Sequence, residues 1–321
     1  MIRFIIRRFF QMILVLFIVS LMVFLLSSFT GDPVYMLLPP DATLEEIADM
    51  RILLGLDKPL YVQYAIFLQN ILKGDFGNSY VYNKPALGLI LERMPATMEV
   101  VAVSTIITIL IALPLGVFAG SNPKSTGSKS IMFGSLIGIS LPSFLVGMLL
   151  IYLFSVTLGW LPTSGRSIPA ITASGKKTYF TINELRHVLL PSITLALGQV
   201  AMLIRLLKAG LQETMQKDFI KFAKSKGVSR RNIVFGHALR NALTSTITVF
   251  GLSIGDLIAF TTITETIFAW PGMGRLLLTS INVSDRPVII VYIMVVSVIF
   301  VVINFFVDIL YTVIDPRIKL N

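Results

Sequence analysis

Long runs almost without charge alternate with short charged stretches along this chain, and the alternation has the period of membrane crossings rather than of a soluble fold. At 1.5 Å rise per residue, about 20 apolar residues cross the roughly 30 Å hydrocarbon layer as a helix. Six runs qualify: Phe9–Phe29, Val100–Ala119, about Ile131–Val156, Val188–Ile204, Leu243–Thr264 and Pro287–Val307. The third lies in a charge-free gap too long for one helix, so Gly159–Pro162 is assigned to its exit. The fourth begins near Pro191, a residue tolerated in a first turn because its missing N–H has no intrahelical partner there. Pro142, Pro114, Gly134, Gly138 and Gly147 mark the kinks and close contacts of packed membrane helices. The pattern predicts an all-α polytopic membrane protein. Residues 1–30 hold the first span, 31–96 a helical insertion, and 97–321 a core of five further spans with a charged loop at about 205–242.

Composition agrees: 55% of residues are hydrophobic and 14% charged, against about 25% charged in soluble domains. The first run follows Arg3, Arg7 and Arg8, but it is longer than the roughly 7–15 apolar residues of a secretory signal and is expected to be a retained span. The absence of cysteine excludes disulfides, thiolate chemistry and lipidation on sulfur. With six spans both termini share a side, and 16 of the 27 Lys and Arg fall on that side. Such an excess marks the cytoplasmic face. The net charge of +10 is thereby explained by topology, without nucleic acid as a partner.

The most charged stretch, DFIKFAKSKGVSRRNIVFGHALRNAL at 218–243, exceeds what retention on one side requires. Asp218 can cap a short helix whose apolar side is Phe219, Ile220, Phe222 and Ala223, and Gly227 stands where a helix ends with positive φ. Ser229 offers a second cap, followed by Ile233, Val234, Leu239 and Leu243 at helical spacing. The expected structure is helix, glycine turn, helix along the membrane surface. Its two-faced character suits the groove of another protein or, equally, lipid headgroups.

Several stretches together resemble the permease subunits of bacterial ATP-binding-cassette importers, in the dipeptide, oligopeptide and nickel branch. They are KFAKSKG followed by HALRNAL, LGLDKPLYVQY at 54–64, GDFGNSY at 74–80, LPTSGR at 161–166, TETIFAWPGMG at 264–274 and DPRIKL at 315–320. The resemblance implies that the charged loop docks into a cleft on a cytoplasmic ATPase. Phe219, Phe222, Ala223, Gly227, Arg230 and Arg231 are the residues expected to carry that contact. It also implies a second related permease completing the pathway, one or two ATPase chains and an extracytoplasmic substrate-binding protein. The location implied is a bacterial cell membrane. This chain has no phosphate-binding loop of the form G-x-x-x-x-G-K-[ST]. ATP and Mg are therefore expected on the partner subunits, with no cofactor of its own. Peptides are favoured as cargo over nickel or a metal chelate; a secondary transporter or channel is the alternative of another class.

Within residues 31–96, Thr43 and Glu46 have capping-box spacing, predicting a helix from about Leu44 to Leu53. A second is predicted after Pro59, with Tyr61, Tyr64, Phe67, Leu68, Ile71 and Leu72 on its apolar face. The segment is expected to act as a lid on the span ends or as a docking surface. Asp256 sits about 13 residues into the fifth run, at a depth where an ionised group facing lipid costs several kcal/mol. It is a candidate for the pathway, or for protonation or pairing within the bundle; Glu265, nearer the outer end, is a second pathway candidate. GLSIG at 251–255 formally matches a hydrolase elbow. Neither His187 nor His237, the two histidines, lies at a depth to activate Ser253.

Overall fold

A computed structural model of the chain describes residues 2–29, 34–39, 41–167, 170–171, 177–178 and 182–314. The DPRIKL motif, Asp32 and Lys176 lie outside the described residues. Helices dominate in the order α1 (Ile2–Phe29), α2 (Val34–Leu37), α3 (Leu44–Leu53), α4 (Leu60–Leu72), α5 (Ala86–Ser121), α6 (Thr126–Ser140) and α7 (Ser143–Leu150). There follow α8 (Ile182–Met215), α9 (Asp218–Ser225), α10 (Arg230–Asn232), α11 (Leu239–Ile267), α12 (Met273–Asn282) and α13 (Arg286–Ile314). A two-residue antiparallel ladder pairs Ala170–Ile171 with Lys177–Thr178. Among the described residues five helices are long and apolar enough to cross a membrane, and a bent pair makes a sixth if counted as one span. The chain is an all-α polytopic membrane protein.

The bent pair corrects the expected third span. Thr126–Ser140 and Ser143–Thr157 meet at 104°, where a single helix was predicted over Ile131–Val156. Pro142 has no N–H and its ring clashes with a preceding helical carbonyl, and it forces Leu141 into an extended conformation at ψ 130°. After α7 the backbone continues as a π-helical stretch, Ile151–Thr157. Pro191 also differs from expectation. It lies inside α8, nine residues from its start, not in a first turn.

The chain divides into two compact units, residues 1–95 with 276–302 and residues 96–275 with 303–321. In the first, α3 opens on the predicted capping box. The Thr43 side chain accepts from the Glu46 N–H, and the Glu46 carboxylate accepts from the Thr43 N–H at 2.7 Å. The Thr43 N–H and the Thr43 hydroxyl, which also donates to the carboxylate at 3.0 Å, hold the Glu46 carboxyl below its ordinary pKa. The α4 face is narrower than predicted. Tyr64 and Phe67 pack on Phe24 of α1, with ring centroids 5.3 and 5.6 Å away, and the Tyr64 hydroxyl lies 2.9 Å from Ser20 Oγ. Tyr61 and Leu72 are exposed. The LGLDKPLYVQY turn is closed by Gln63, which donates to the carbonyls of Leu56 and Lys58. The GDFGNSY stretch is anchored on buried Asp285, whose carboxylate accepts from the Ser79 hydroxyl and the Tyr80 N–H.

In the second unit, α8 packs along α11, with α6 and α7 against them. One apolar cluster joins Val117, Leu207 and Leu211 to Ile220, Ile233, Val234, Ala238 and Ala242. Another joins Ala112 to Ala196, Val200, Leu203 and Ile204. Gly251 of the GLSIG stretch is a close helix approach: a Cβ there would run into Val307. The Ser253 hydroxyl donates to the Phe250 carbonyl and His187 Nδ1 lies 3.0 Å from the Gly165 carbonyl. That motif is a packing feature.

Candidate functional site

The charged loop forms the predicted hairpin, with the cap one residue earlier than expected. Lys217 is the N-cap of α9 and makes no side-chain cap bond, pairing instead with Glu213 at 3.2 Å; Asp218 is the first helical residue and pairs with Lys221 at 2.8 Å. Gly227 turns the chain at φ +76°, a left-handed conformation that costs an ordinary residue about 1–2 kcal/mol. The Ser229 side chain then accepts from the Asn232 N–H, opening α10, which runs through a π-helical stretch at Ile233–Ala238 into α11.

The apolar residues of α9 divide between two faces. Ile220 is fully buried and Ala223 packs on the same cluster as Leu207, Leu211 and Ala238. Phe219 and Phe222 point the other way, 42% and 61% exposed. Lys226 lies 4.6 Å over the Phe222 ring. The hairpin is thus bolted to the bundle by one side while offering aromatic rings among Lys221, Lys224 and Arg231 on the other. Arg230 is engaged within the chain: it donates to the Ser121 carbonyl and to Asn122 Oδ1, each at 2.8 Å. Sequence reasoning grouped Arg230 with Arg231 and missed this tie to the end of α5. Arg231 makes no such bond among the described residues, and neighbouring Phe235, absent from the predicted set, is 57% exposed.

At the other end of α11, the LPTSGR and TETIFAWPGMG stretches meet. Gly165 donates its N–H to the Phe268 carbonyl at 2.8 Å, and Arg166 forms an ion pair with Glu99 of α5 at 2.8 Å. Trp270, 1% exposed, donates its indole N–H to the Ala96 carbonyl. Glu265, expected on a pathway, is fully buried in this knot. Its carboxylate accepts from the Thr97 hydroxyl at 2.6 Å and the Arg275 N–H at 2.8 Å, while Thr97 Oγ1 accepts from the Met273 N–H. Glu265 and Thr97 together satisfy the first-turn donors of α12, which have no intrahelical partners. A Cβ at position 272 would overlap the Glu265 carboxylate, so the glycine of the PGMG turn is required by that approach.

Asp256 is placed differently. It is exposed on α11, as are Leu252, Phe260 and Ile263 on the same helix. Among the described residues it has neither an ion pair nor a hydrogen bond.

A transmembrane bundle with a hairpin tied to its core defines a polytopic α-helical membrane protein. Family comparison agrees. The family described as "Binding-protein-dependent transport system inner membrane component" matches residues 112–320, and its N-terminal membrane component matches residues 1–101. The chain belongs to this family. It is 36% identical to the oligopeptide transport system permease protein AppB of Bacillus subtilis, over 99% of this chain and 100% of that protein. It is 35% identical to the dipeptide transport system permease protein DppB of Alkalihalophilus pseudofirmus, over 99% and 100%. The glutathione transport system permease protein GsiC of Escherichia coli K12 is 36% identical, over 99% of each. Among solved structures, two crystal forms of the MetNI methionine ABC transporter in inward-facing conformations match 71% of this chain and 96% of that one, at TM-scores of 0.55 and 0.51 and 16% identity. That likeness is one of fold.

Proposed function

We propose that the chain is one of two permease halves of an ATP-driven peptide importer, with both termini and the 216–238 hairpin on the cytoplasmic side. The observation that carries this reading is the divided hairpin: Ile220 locked in the core, Phe219 and Phe222 free beside cations. Such a face fits a cleft on a partner, where buried aromatic and Arg anchors supply most of the binding energy. One or two ATPase chains grip the hairpin and hold ATP and Mg; a related permease completes the pathway, and an extracytoplasmic binding protein delivers cargo. The names of the relatives, oligopeptide, dipeptide and glutathione permeases, favour peptides over nickel.

Co-reconstituted in vesicles with those partners, the chain is expected to accumulate peptides only when ATP is supplied. Uptake by this chain alone would overturn the reading. Asp256 faces the pathway in this scheme, since at the translocon-derived cost of about 3 kcal/mol a carboxylate does not face lipid without reason. Asp256→Asn is expected to raise the apparent KM for peptide about tenfold by removing a charge-assisted bond, with assembly intact. Unchanged transport kinetics would make the carboxylate scaffolding.

A further inference from the structure

The break between α6 and α7 opens onto a cavity of about 430 Å³, in the size range of small-ligand pockets. Gly138 and Ser143 line it on either side of the break, Gln199 and Arg205 from α8, and Leu257 and Phe260 from α11. Non-helical backbone within a membrane is tolerated where it is buried in protein or lines a water-filled space, and in secondary transporters discontinuous helices mark where cargo is held.

Two charges stand out on this unit. Arg205 lies on the open face of α8 with Gly198, Met202 and Ala209, about 9 Å along the helix from Gln199 toward the hairpin. Among the described residues it has no hydrogen bond or ion pair. Asp256 stands one turn before Phe260 on α11, likewise without a partner. The hairpin joins α8 to α11, which pack antiparallel: a Cβ at Gly210 would touch Ala242, and Phe250 packs against the Val200–Ile204 cluster. That register puts Arg205 opposite residue 247 and Asp256 nine residues further on, about 13 Å along the axis. An extended peptide spans at most about 3.3–3.6 Å per residue, so two to four residues bridge the gap, the long arginine side chain making up the difference for the shortest.

We propose that Arg205 is the cargo-contacting residue that receives the C-terminal carboxylate of a peptide of two to four residues, with Asp256 facing its ammonium end. This rests on the importer reading and adds the recognised group and the length. Guanidinium binds carboxylate through paired N–H donors, which gives directional selection as well as attraction. An amidated peptide presents no charge for it to pair.

The test uses the complete importer in vesicles, a library of two- to four-residue peptides with free C-termini, and the same library amidated, with uptake followed by mass spectrometry. The carboxylate-to-amide uptake ratio of the wild type is expected to fall about tenfold in Arg205→Gln, the loss of one charge-assisted contact, and to fall less in Arg205→Lys, which keeps the charge but not the paired donors. The binding protein's own preference is common to every variant and cancels, and a merely structural arginine would lower both uptakes alike. An unchanged ratio in Arg205→Gln overturns the proposal. Loss of the second permease from the purified Arg205→Gln assembly also overturns it, making the arginine a subunit contact. A wild type that accumulates neither library with ATP overturns the importer reading itself, and this proposal with it.

Discussion

Glu265→Ala is expected to destabilise the detergent-solubilised chain by about 3–5 kcal/mol, the combined cost of orphaning two buried donors at about 1–3 kcal/mol each and of the space left behind. The donors are the Thr97 hydroxyl and the Arg275 N–H. No water can replace the carboxylate easily, because residue 265 is 0% exposed. Glu265→Gln keeps the shape and one acceptor oxygen but points an NH2 group at donors, and falls between Ala and wild type. Thr97→Val removes the hydroxyl that the Met273 N–H uses. Since Thr97 and Glu265 share one network, the double variant is expected to cost less than the sum of the singles. Denaturant unfolding of the four variants and the wild type measures all of these values. A loss below about 0.5 kcal/mol in Glu265→Ala would mean that the carboxylate does not hold the PGMG turn, since substitutions away from such features fall in that range.

Much of the fold was legible because membrane helices announce themselves by length and lack of charge. The first, second, fourth, fifth and sixth runs each fall within a helix of the structure, and the capping box at Thr43–Glu46 was readable from spacing alone. What failed was whatever depends on how helices face one another. Pro142 was legible as a kink, but the 104° turn it makes was not, because hydropathy is the same on both sides of the bend. The site was legible as a hairpin but not in its sidedness. Phe219, Ile220, Phe222 and Ala223 read as one apolar face, whereas only Ile220 and Ala223 meet the cluster built by Leu207 and Leu211. Likewise, sequence depth placed both Asp256 and Glu265 in the membrane, but burial separates them: one open to its surroundings, the other sealed by Thr97 and the α12 backbone.

Gly227→Val is expected to abolish ATP-driven uptake while leaving membrane insertion intact. At φ +76° a β-branched side chain is strained, and the chain would relieve that strain by opening the turn between α9 and α10. Membrane insertion does not depend on this turn, since α8 and α11 carry the hydropathy of their spans. The two sides of the hairpin then give separable outcomes. Phe222, 61% exposed, contributes little to folding, so Phe222→Ala is expected to weaken ATPase binding by about 30-fold, the scale of a 2 kcal/mol anchor. Arg231→Glu should also weaken it, more at low salt than at high, because an exposed charge is screened. Ile220→Ala and Arg230→Gln act inward, loosening the hairpin from Leu207 and from the Ser121 and Asn122 end of α5. Both are expected to retain the ATPase yet take up less peptide per ATP hydrolysed, because a lever that slips in its socket transmits less of the stroke. Binding measured on the purified assembly and uptake per ATP measured in vesicles distinguish the two classes. Equal uptake per ATP in Arg230→Gln and wild type would remove Arg230 from the path of force, and normal uptake in Gly227→Val would remove the hairpin from it altogether.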